Sequence, residues 1–338
     1  MEKLKPVRLS EIAELADRRR DAVSKFFKNC ADDLVVKAGM RVVGVQPEAA
    51  TDYLYFCGYQ DFLKPSITLS ANLCGGVGKT TGIYNVGVSM RRLVTRDIPI
   101  VYVDCDSQGS FTSIVFGQRA AEEDPILLDY FDKKASIKEL LAPLPDNCWF
   151  VKSNLRQALI DKYTRPSEIK SKMLEFYRDI FKHLGQNAKI FQDHTPQLSG
   201  VFASSVCALH QLGDDVLKNV IIPIRADDFA IQGGRFIIQE MEDMRETFGF
   251  SNNLPVTCFF SNIDKRISTT AEAVKVAQDN PTVAAKLSEY SIRYCAEIPK
   301  AIMRHSSVFS GKNNHAAQDY QQLCKSIFFR DNKTWKTS

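Results

Sequence analysis

Hydrophobic and polar positions change period in a regular order along this 338-residue chain. From Ser66 onward, short apolar runs alternate with stretches in which apolar residues recur at helical spacing. The strand-like runs are Ile67–Ser70, Ile100–Val103, Trp149–Val151, Ala188–Phe191, Val220–Ile224 and Val256–Phe260. This alternation predicts an α/β fold with a mostly parallel, doubly wound sheet flanked by helices.

Helical spacing is clearest over Thr80–Val94 and Glu168–Leu184, which lie between predicted strands. A last helical pattern runs from Ala316 to Phe328 and predicts a closing helix that packs on the sheet. Pro65 interrupts the chain just before the first of these strands. The sequence therefore predicts two domains, residues 1–65 and residues 66–338.

The N-terminal domain begins with a pattern typical of a helix-turn-helix over Ser10–Phe27. Ala13 and Ala16 would be buried on the first helix, and Val23 and Phe26 would seat the second helix against it. Asp17 stands where many such motifs have glycine at the turn. Two strand-like runs, Leu34–Val36 and Arg41–Val45, flank a turn at Gly39 and predict a wing.

Several cations of this segment would then face DNA phosphates and groove edges. They are Arg18, Arg19, Arg20, Lys25 and Lys28, with Ser24 beside them. An amphipathic helical hairpin used for dimer contacts is the alternative interpretation.

Composition excludes several classes of protein. The chain is 44% apolar and 25% charged, as expected for a globular protein with a substantial core. No run is long and apolar enough to span a membrane, and the N-terminus leads into no apolar signal segment. Nine scattered cysteines do not resemble a disulfide framework, which favours a reducing cytoplasm.

The net charge of +4 is unevenly distributed. Residues 1–30 carry eight Lys and Arg against five Asp and Glu, and residues 300–338 carry seven against two. The stretch between them is mildly acidic. Basic ends favour a polyanionic partner such as DNA, although solvated tails would have the same composition.

The strongest motif is Cys74–Thr81, which follows a predicted strand and opens a helix. Glycines allow backbone N–H groups to converge on phosphate oxygens, and the helix N-terminus adds partial positive charge. A lysine followed by a hydroxyl residue, here Lys79 and Thr80, suits a terminal phosphate and Mg²⁺. The motif therefore predicts a site for ATP and Mg²⁺.

An ordinary P-loop has glycine at the position of Leu73, so this loop is a variant. Asn72–Thr81 resembles the ParA/MinD superfamily of deviant Walker ATPases, whose pattern is Lys-Gly-Gly-x-Gly-Lys-Ser/Thr. Cys74 replaces the first lysine, as in some McdA-like members. Further segments resemble the family in the same order: Val103–Ser110, Phe191–Pro196, Ile221–Ile224, Phe229–Gly234 and Ile298–Lys300.

The resemblance implies a role for each matching residue. Lys79 would hold the β- and γ-phosphates, and Thr80 would ligate Mg²⁺, with Asp193 acting on the metal through a water and Asp104 beside it. Asp106 would orient the attacking water. The remaining nucleotide contacts would come from Cys74, Gly75, Gly76, Val77, Gly78 and Thr81 around the phosphates and from Asn262 and Pro299 at the adenine. A pair of turn-capping carboxylates is the alternative for Asp104 and Asp106, and an ordinary turn residue is the alternative for Asn262.

Cys74 departs from the family, in which the first lysine reaches the phosphates of a dimer partner. Cysteine has no fixed positive charge. Hydrolysis would then be slow, dimerisation would differ, or another cation would act in trans. Lys152 and Arg225 follow predicted strands, where ligands gather in such sheets, and either is a candidate. Solvated surface charges are the alternative for both.

The resemblance implies a slow ATPase that dimerises with ATP and binds nucleoid DNA without sequence preference. Lys265, Arg266, Lys300, Arg304 and Lys312 lie in the region that relatives use for DNA. The cargo would be a plasmid, a chromosome origin or a protein body such as a carboxysome, and a ParB-like or adaptor partner would stimulate hydrolysis. The protein would be cytoplasmic and associated with the nucleoid.

Two other interpretations remain open. A nucleotide-switched transcriptional regulator with little turnover would also need an N-terminal DNA-binding domain. A MinD-like membrane positioner would need a basic C-terminal amphipathic helix, of which Ile327–Arg330 is only a short approximation. No membrane partner is therefore expected. A metabolic kinase would need an acceptor site and an arginine-bearing lid, and the sequence shows no such pattern.

Overall fold

The computed structural model describes residues 5–163, 168–264, 266–311 and 314–329. Its strands are β1 Val7–Arg8, β2 Val35–Ala38, β3 Arg41–Val45, β4 Ser66–Ser70, β5 Ile100–Asp104, β6 Leu141–Leu144, β7 Cys148–Val151, β8 Lys189–Asp193, β9 Leu217–Ile224 and β10 Val256–Phe260. The helices before β8 are α1 Leu9–Leu15, α2 Arg20–Phe26, α3 Pro47–Phe56, α4 Lys79–Arg91, α5 Ser110–Phe116, α6 Leu127–Phe131, α7 Ile137–Leu140, α8 Leu159–Tyr163 and α9 Lys172–Leu184. The later helices are α10 Gly200–Gln211, α11 Asp228–Phe248, α12 Ser268–Asp279, α13 Pro281–Ala284, α14 Glu297–Met303 and α15 His315–Phe328.

The large sheet confirms the predicted fold class. Over the described residues its seven strands lie in the order β10-β9-β4-β8-β5-β7-β6. Neighbouring strands are parallel except for the pair β6 and β7. All six predicted strands are present, and β9 begins earlier than expected, at Leu217. The antiparallel edge strand β6 was not predicted, since it contains Pro143, which only an edge strand or a bulge tolerates.

Alternate side chains of each strand enter cores on opposite faces of the sheet. On β5, Tyr102 packs on the side of α4 and α15, and Val103 packs on the side of α9, α10 and α11. Helix α4 approaches the sheet closely because Gly87 lies against the Tyr102 ring, where a Cβ would collide. The helix predicted over Glu168–Leu184 begins later, at Lys172.

The first two helices and a three-stranded sheet form an N-terminal unit, residues 5–63, together with α3. Ala13, Ala16 and Val23 are buried as expected, whereas Phe27 takes the fully buried place predicted for Phe26. Asp17 has a φ of 50°, so this aspartate adopts the left-handed turn that glycine favours. Strands β2 and β3 pair as the predicted hairpin. Its use in DNA binding stays a prediction.

The N-terminal unit packs directly on the α4 and α15 side of the sheet. The Arg92 guanidinium at the end of α4 lies 2.9 Å from the Glu11 carboxylate, and both side chains are nearly buried. The Phe62 ring stacks on Phe329, with centroids 4.9 Å apart. One continuous apolar core therefore joins this unit to the sheet.

Candidate nucleotide-binding site

The phosphate loop, Cys74–Thr81, connects the carboxyl end of β4 to the first turn of α4. Gly76 and Gly78 have φ values of 69° and 89°, a conformation that side-chain-bearing residues rarely adopt. The Ser261 hydroxyl donates to the Val77 carbonyl at 2.6 Å and fastens the loop to the end of β10. The loop is thus shaped by its own backbone and fixed from a neighbouring strand.

Asn72 holds the loop at a second point through its side-chain hydrogen bonds, and the sequence analysis assigned it no role. Its Oδ1 accepts from the backbone N–H of Cys74 at 2.8 Å, and its Nδ2 donates to the Pro223 carbonyl at 2.9 Å. Gly233 of α11 lies so close that a Cβ there would collide with the Asn72 side chain. The signal was present in the sequence as a strand-end asparagine and a distant Gly-Gly pair.

Lys79 lies inside the loop and is only 7% exposed. Its Nζ donates to the Cys74 carbonyl at 2.9 Å. Burial lowers the pKa of this ammonium, while the charges of Asp193 and Asp106 act in the opposite direction. The amine is therefore held beside the loop carbonyls, within a site that carries carboxylates.

Thr80 and Asp193 meet at the adjoining ends of α4 and β8. The Thr80 hydroxyl donates to Asp193 Oδ2 at 2.6 Å. Asp193 is 1% exposed, and its Oδ1 has no hydrogen-bond partner among the described residues. Burial and then the charge of Asp104 raise the pKa of Asp193 well above its usual value. A hydroxyl and a carboxylate oxygen without a partner fit the hard oxygen ligands that Mg²⁺ prefers.

Asp104 and Asp106 occupy different environments. Buried Asp104 accepts from the Thr112 backbone N–H at 2.8 Å and from its hydroxyl at 2.7 Å. Burial raises the pKa of Asp104 to about 7, and the hydrogen bonds from Thr112 oppose that shift. Asp106 is partly exposed and accepts from the Gln108 N–H at 2.9 Å. Both carboxylates hold turns here, so their roles toward metal and water remain predictions.

A cavity of about 300 Å³ adjoins the phosphate loop and contains both predicted adenine residues, Asn262 and Pro299. Its wall includes Gly76–Gly78 and Thr81 from the loop region and apolar side chains such as Ile292 and Ile298. An apolar cavity that opens onto a phosphate loop has the size and position to receive a nucleoside.

The two candidate trans cations are placed differently. An Arg225 guanidinium nitrogen lies 4.0 Å from the position of a Cβ on Gly76, so this half-exposed side chain reaches the loop. It also pairs with Asp227. Lys152 pairs with Asp124 at 2.9 Å within the same chain. Only Arg225 of the two is shown beside Cys74–Thr81.

The predicted DNA-binding cations lie in two separate regions. Arg18, Arg19, Arg20 and Lys25 are exposed around α2, and so are Lys300 on α14 and Arg304 directly after it. Arg304 pairs with Glu297, and Arg266 pairs with Asp264 at 2.6 Å. Lys265 and Lys312 lie outside the described residues.

The C-terminal segment considered for membrane contact is core. Ile327 and Phe328 are at most 2% exposed, and Phe329 is 7% exposed. Arg330 lies outside the described residues. No helix in the described part of the chain has the length and apolar character needed to cross a membrane.

A buried polar network behind the site was missed by sequence reasoning. Gln192 on β8 contacts Tyr177, Ser205 and His194, at 2.6, 2.9 and 3.0 Å. His194 is 1% exposed, and burial lowers its pKa to about 3, with a further contribution from the charge of Lys79. A histidine directly after a strand-end aspartate was the available signal.

Comparison with known proteins agrees with this architecture. A family model described as an AAA domain matches residues 66–255. No curated protein sequence matches the chain.

Solved structures with a similar fold include a putative plasmid partition protein from Borrelia burgdorferi bound to AMPPNP (15% identity, TM-score 0.60, covering 78% of this chain and 98% of that one). Cyanothece McdA in complex with ATP is similar at 15% identity and a TM-score of 0.62, covering 79% of this chain and 98% of that one. A cobyrinic acid a,c-diamide synthase from Mycobacterium smegmatis with bound ADP and magnesium is similar at 14% identity and a TM-score of 0.58, with 78% and 94% covered. At these identities the likeness shows a common fold.

Proposed function

The chain belongs to the AAA domain family, and from that premise we propose that it is a ParA-like ATPase that binds Mg-ATP at Cys74–Thr81. One observation carries the proposal. Lys79, Thr80 and Asp193 meet where β4 and β8 end, with Thr80 and Asp193 joined at 2.6 Å. A P-loop lysine, a hydroxyl ligand and an aspartate at the end of the neighbouring strand are the groups that hold a nucleoside triphosphate and its metal.

Each group would then have a defined task. The N–H groups of the loop and of the first turn of α4 bind the phosphates, and the Lys79 ammonium exchanges its carbonyl partner for phosphate oxygens. Mg²⁺, held by Thr80 and through a water by Asp193, would neutralise charge on the terminal phosphates. Asp106, the more accessible strand-end carboxylate, would orient the attacking water. Asn262 and Pro299 would contact the base.

We further propose that ATP brings two copies together across the carboxyl edge of the sheet. Three exposed apolar side chains follow strands at that edge: Leu155 is 65% exposed, Leu198 43% and Phe229 83%. Exposed apolar groups around a ligand site favour a protein contact. Arg225 would supply to the partner's phosphates the positive charge that Cys74 lacks.

In the favoured version the ATP-bound dimer binds nucleoid DNA without sequence preference in the cytoplasm. A ParB-like or adaptor partner on a plasmid, chromosome or protein body would stimulate hydrolysis and release it. The similar folds of a plasmid partition protein and of McdA support this version. The exposed cations of α2 and α14 would contact phosphates, and such binding weakens steeply with salt.

A nucleotide-switched regulator is the second candidate, and one observation favours it. Helix α4 begins at the phosphate loop, and Arg92 at its far end pairs with Glu11 of the N-terminal unit. Helix α4 therefore connects the phosphate loop to the N-terminal unit, which carries the cations of α2.

A DNA shift assay on the full chain distinguishes these functions. Binding to random-sequence DNA and to DNA from upstream of the gene that encodes this chain is compared with Mg-ATP, with Mg-ADP and without nucleotide, at two salt concentrations. Binding to both DNAs only with Mg-ATP, lost at the higher salt concentration, supports the partition-type ATPase. Selective binding of the upstream DNA, with negligible ATP turnover, supports the regulator. Nucleotide-independent binding contradicts both.

A further inference from the structure

His194 is the buried histidine that directly follows Asp193, the carboxylate proposed to act on Mg²⁺. Its backbone N–H donates to the Ser70 carbonyl at 3.1 Å. The Ser70 hydroxyl in turn donates to the Lys79 carbonyl at 3.2 Å. Two hydrogen bonds thus connect the His194 backbone to that of the phosphate-binding lysine, and the charge of Lys79 contributes to the lowered pKa of the His194 imidazole.

The hydrogen bonds of Gln192 determine which nitrogen of His194 carries the proton. The Ser205 hydroxyl donates to the Val201 carbonyl at 2.8 Å, so Ser205 Oγ accepts from the Gln192 amide nitrogen at 2.9 Å. The Gln192 oxygen accepts from the Tyr177 hydroxyl at 2.6 Å. This fixes the amide nitrogen as the atom that faces His194. Its two hydrogens have three neighbours, Ser205 Oγ, His194 Nε2 and Cys105 Sγ at 3.1 Å, and the sulfur is the weakest acceptor of the three.

His194 Nε2 lies 3.0 Å from that amide nitrogen, which can only donate. A proton on Nε2 would place two N–H groups head to head. Nε2 is therefore the acceptor, and the proton of the imidazole is on Nδ1. His194 Nδ1 has no hydrogen-bond partner anywhere in the described ranges. A buried donor without an acceptor destabilises the protein unless an acceptor arrives.

We propose that His194 is a positioning residue whose Nδ1–H donates to an oxygen that the terminal phosphate of the nucleotide brings into the site. The inference rests on the proposed function, because the acceptor arrives with a nucleoside triphosphate. The donor distinguishes triphosphate from diphosphate, since the diphosphate lacks that oxygen. Gln192, with Tyr177 and Ser205 behind it, holds the ring in the tautomer that the contact needs.

Two substitutions separate the two nitrogens. His194→Asn retains an amide donor near the position of Nδ1 but loses the acceptor for Gln192. His194→Gln retains an acceptor at the distance of Nε2 but loses the Nδ1 donor. Their affinities for Mg-AMPPNP and Mg-ADP are measured by calorimetry, and their Tm values by thermal unfolding.

For His194→Gln we expect about tenfold weaker binding of Mg-AMPPNP, Mg-ADP affinity within about twofold of wild type, and a nearly unchanged Tm. For His194→Asn we expect both affinities within about threefold and a Tm lower by about 2–4 °C. His210→Gln is the matched control. This buried histidine bonds Asn252 and stacks on Phe250 at the far end of α10, and its loss leaves both affinities unchanged.

Nitrogen NMR of wild-type protein labelled at histidine tests the same claim without a substitution. We expect the Nδ1–H tautomer at His194, with a proton signal that Mg-AMPPNP moves and Mg-ADP does not. An Nε2–H tautomer, or affinities for both nucleotides that fall in parallel with Tm in both variants, would overturn the inference. If the wild-type protein binds neither nucleotide, the proposed function fails and the inference fails with it.

Discussion

Replacing Gly78 by alanine tests whether the phosphate loop is already shaped for its ligand. Gly78 has a φ of 89°, and a Cβ built there lies 3.6 Å from the Ser261 Cβ, an ordinary contact. The cost of Gly78→Ala is therefore backbone strain without a collision. Placing a side-chain-bearing residue in the left-handed region costs about 1–2 kcal/mol.

Part of that strain can be relieved if the loop turns its peptides away from the phosphates. Nucleotide binding must then restore the strained loop conformation, so the strain energy that was relieved is subtracted from the binding free energy. A loss of 1.4 kcal/mol corresponds to a tenfold weaker affinity. We expect Gly78→Ala to lower Tm by about 2–5 °C and to weaken Mg-ATP binding by about tenfold. Thermal unfolding and calorimetry measure the two effects.

Gly75→Ala is the matched control for the unfolding experiment. Gly75 lacks a positive φ, and a Cβ there meets nothing within 4 Å in the described part of the chain. Its Tm should stay within about 1 °C of wild type, since surface substitutions without strain change stability little. Equal Tm values for the two variants, with unchanged nucleotide affinity in Gly78→Ala, would refute the claim of a preformed loop.

Three further predictions follow from contacts in and around the site. Arg92→Met should destabilise the protein by about 2 kcal/mol in urea unfolding, because the nearly buried Glu11 carboxylate keeps its hydrogen bond from the Arg8 N–H but loses its counter-charge. Adding Glu11→Gln should recover part of that loss, and an unchanged midpoint would show that the pair does not hold the N-terminal unit. Burial lowers the pKa of Lys189 from 10.5 to about 7, so between these values the unfolded chain binds the extra proton and the free energy of unfolding rises with pH. This contribution adds as much as about 2–3 kcal/mol between pH 7 and pH 9, and Lys189→Met should remove it. An identical pH profile in the variant would assign the slope to other groups. Asp106→Ala should bind Mg-ATP normally but stop phosphate release and accumulate as a dimer in size-exclusion chromatography, and normal turnover would remove Asp106 from the mechanism.

The sheet was predictable from the sequence because its strands are buried on both faces and read as continuous apolar runs. β5 is the clearest case, because Ile100–Val103 are all apolar and every residue of the strand is buried. β6 was not, since Pro143 interrupts its short apolar segment and argues against a strand. The phosphate loop was predictable because its glycine spacing is local.

Contacts between distant residues were not predictable. Glu11 and Arg92 are 81 positions apart, and neither carries a pattern that identifies the other. The Gln192 and His194 network likewise depends on which helices cover β8. The sequence could place Asp193 at a strand end, but only packing shows which of its oxygens is left without a partner. Arg225 and Lys152 look equivalent in sequence, and the structure separates them through their neighbours Gly76 and Asp124.

Calorimetric titration of the full chain and of Lys79→Ala with ATP in the presence of Mg²⁺ tests the central claim most directly. We expect saturable binding of one nucleotide per chain by the wild-type protein, and loss of that binding in Lys79→Ala because alanine lacks the ammonium that would contact the phosphates. Absence of binding by the wild-type protein, or equal affinity in the two proteins, would contradict it.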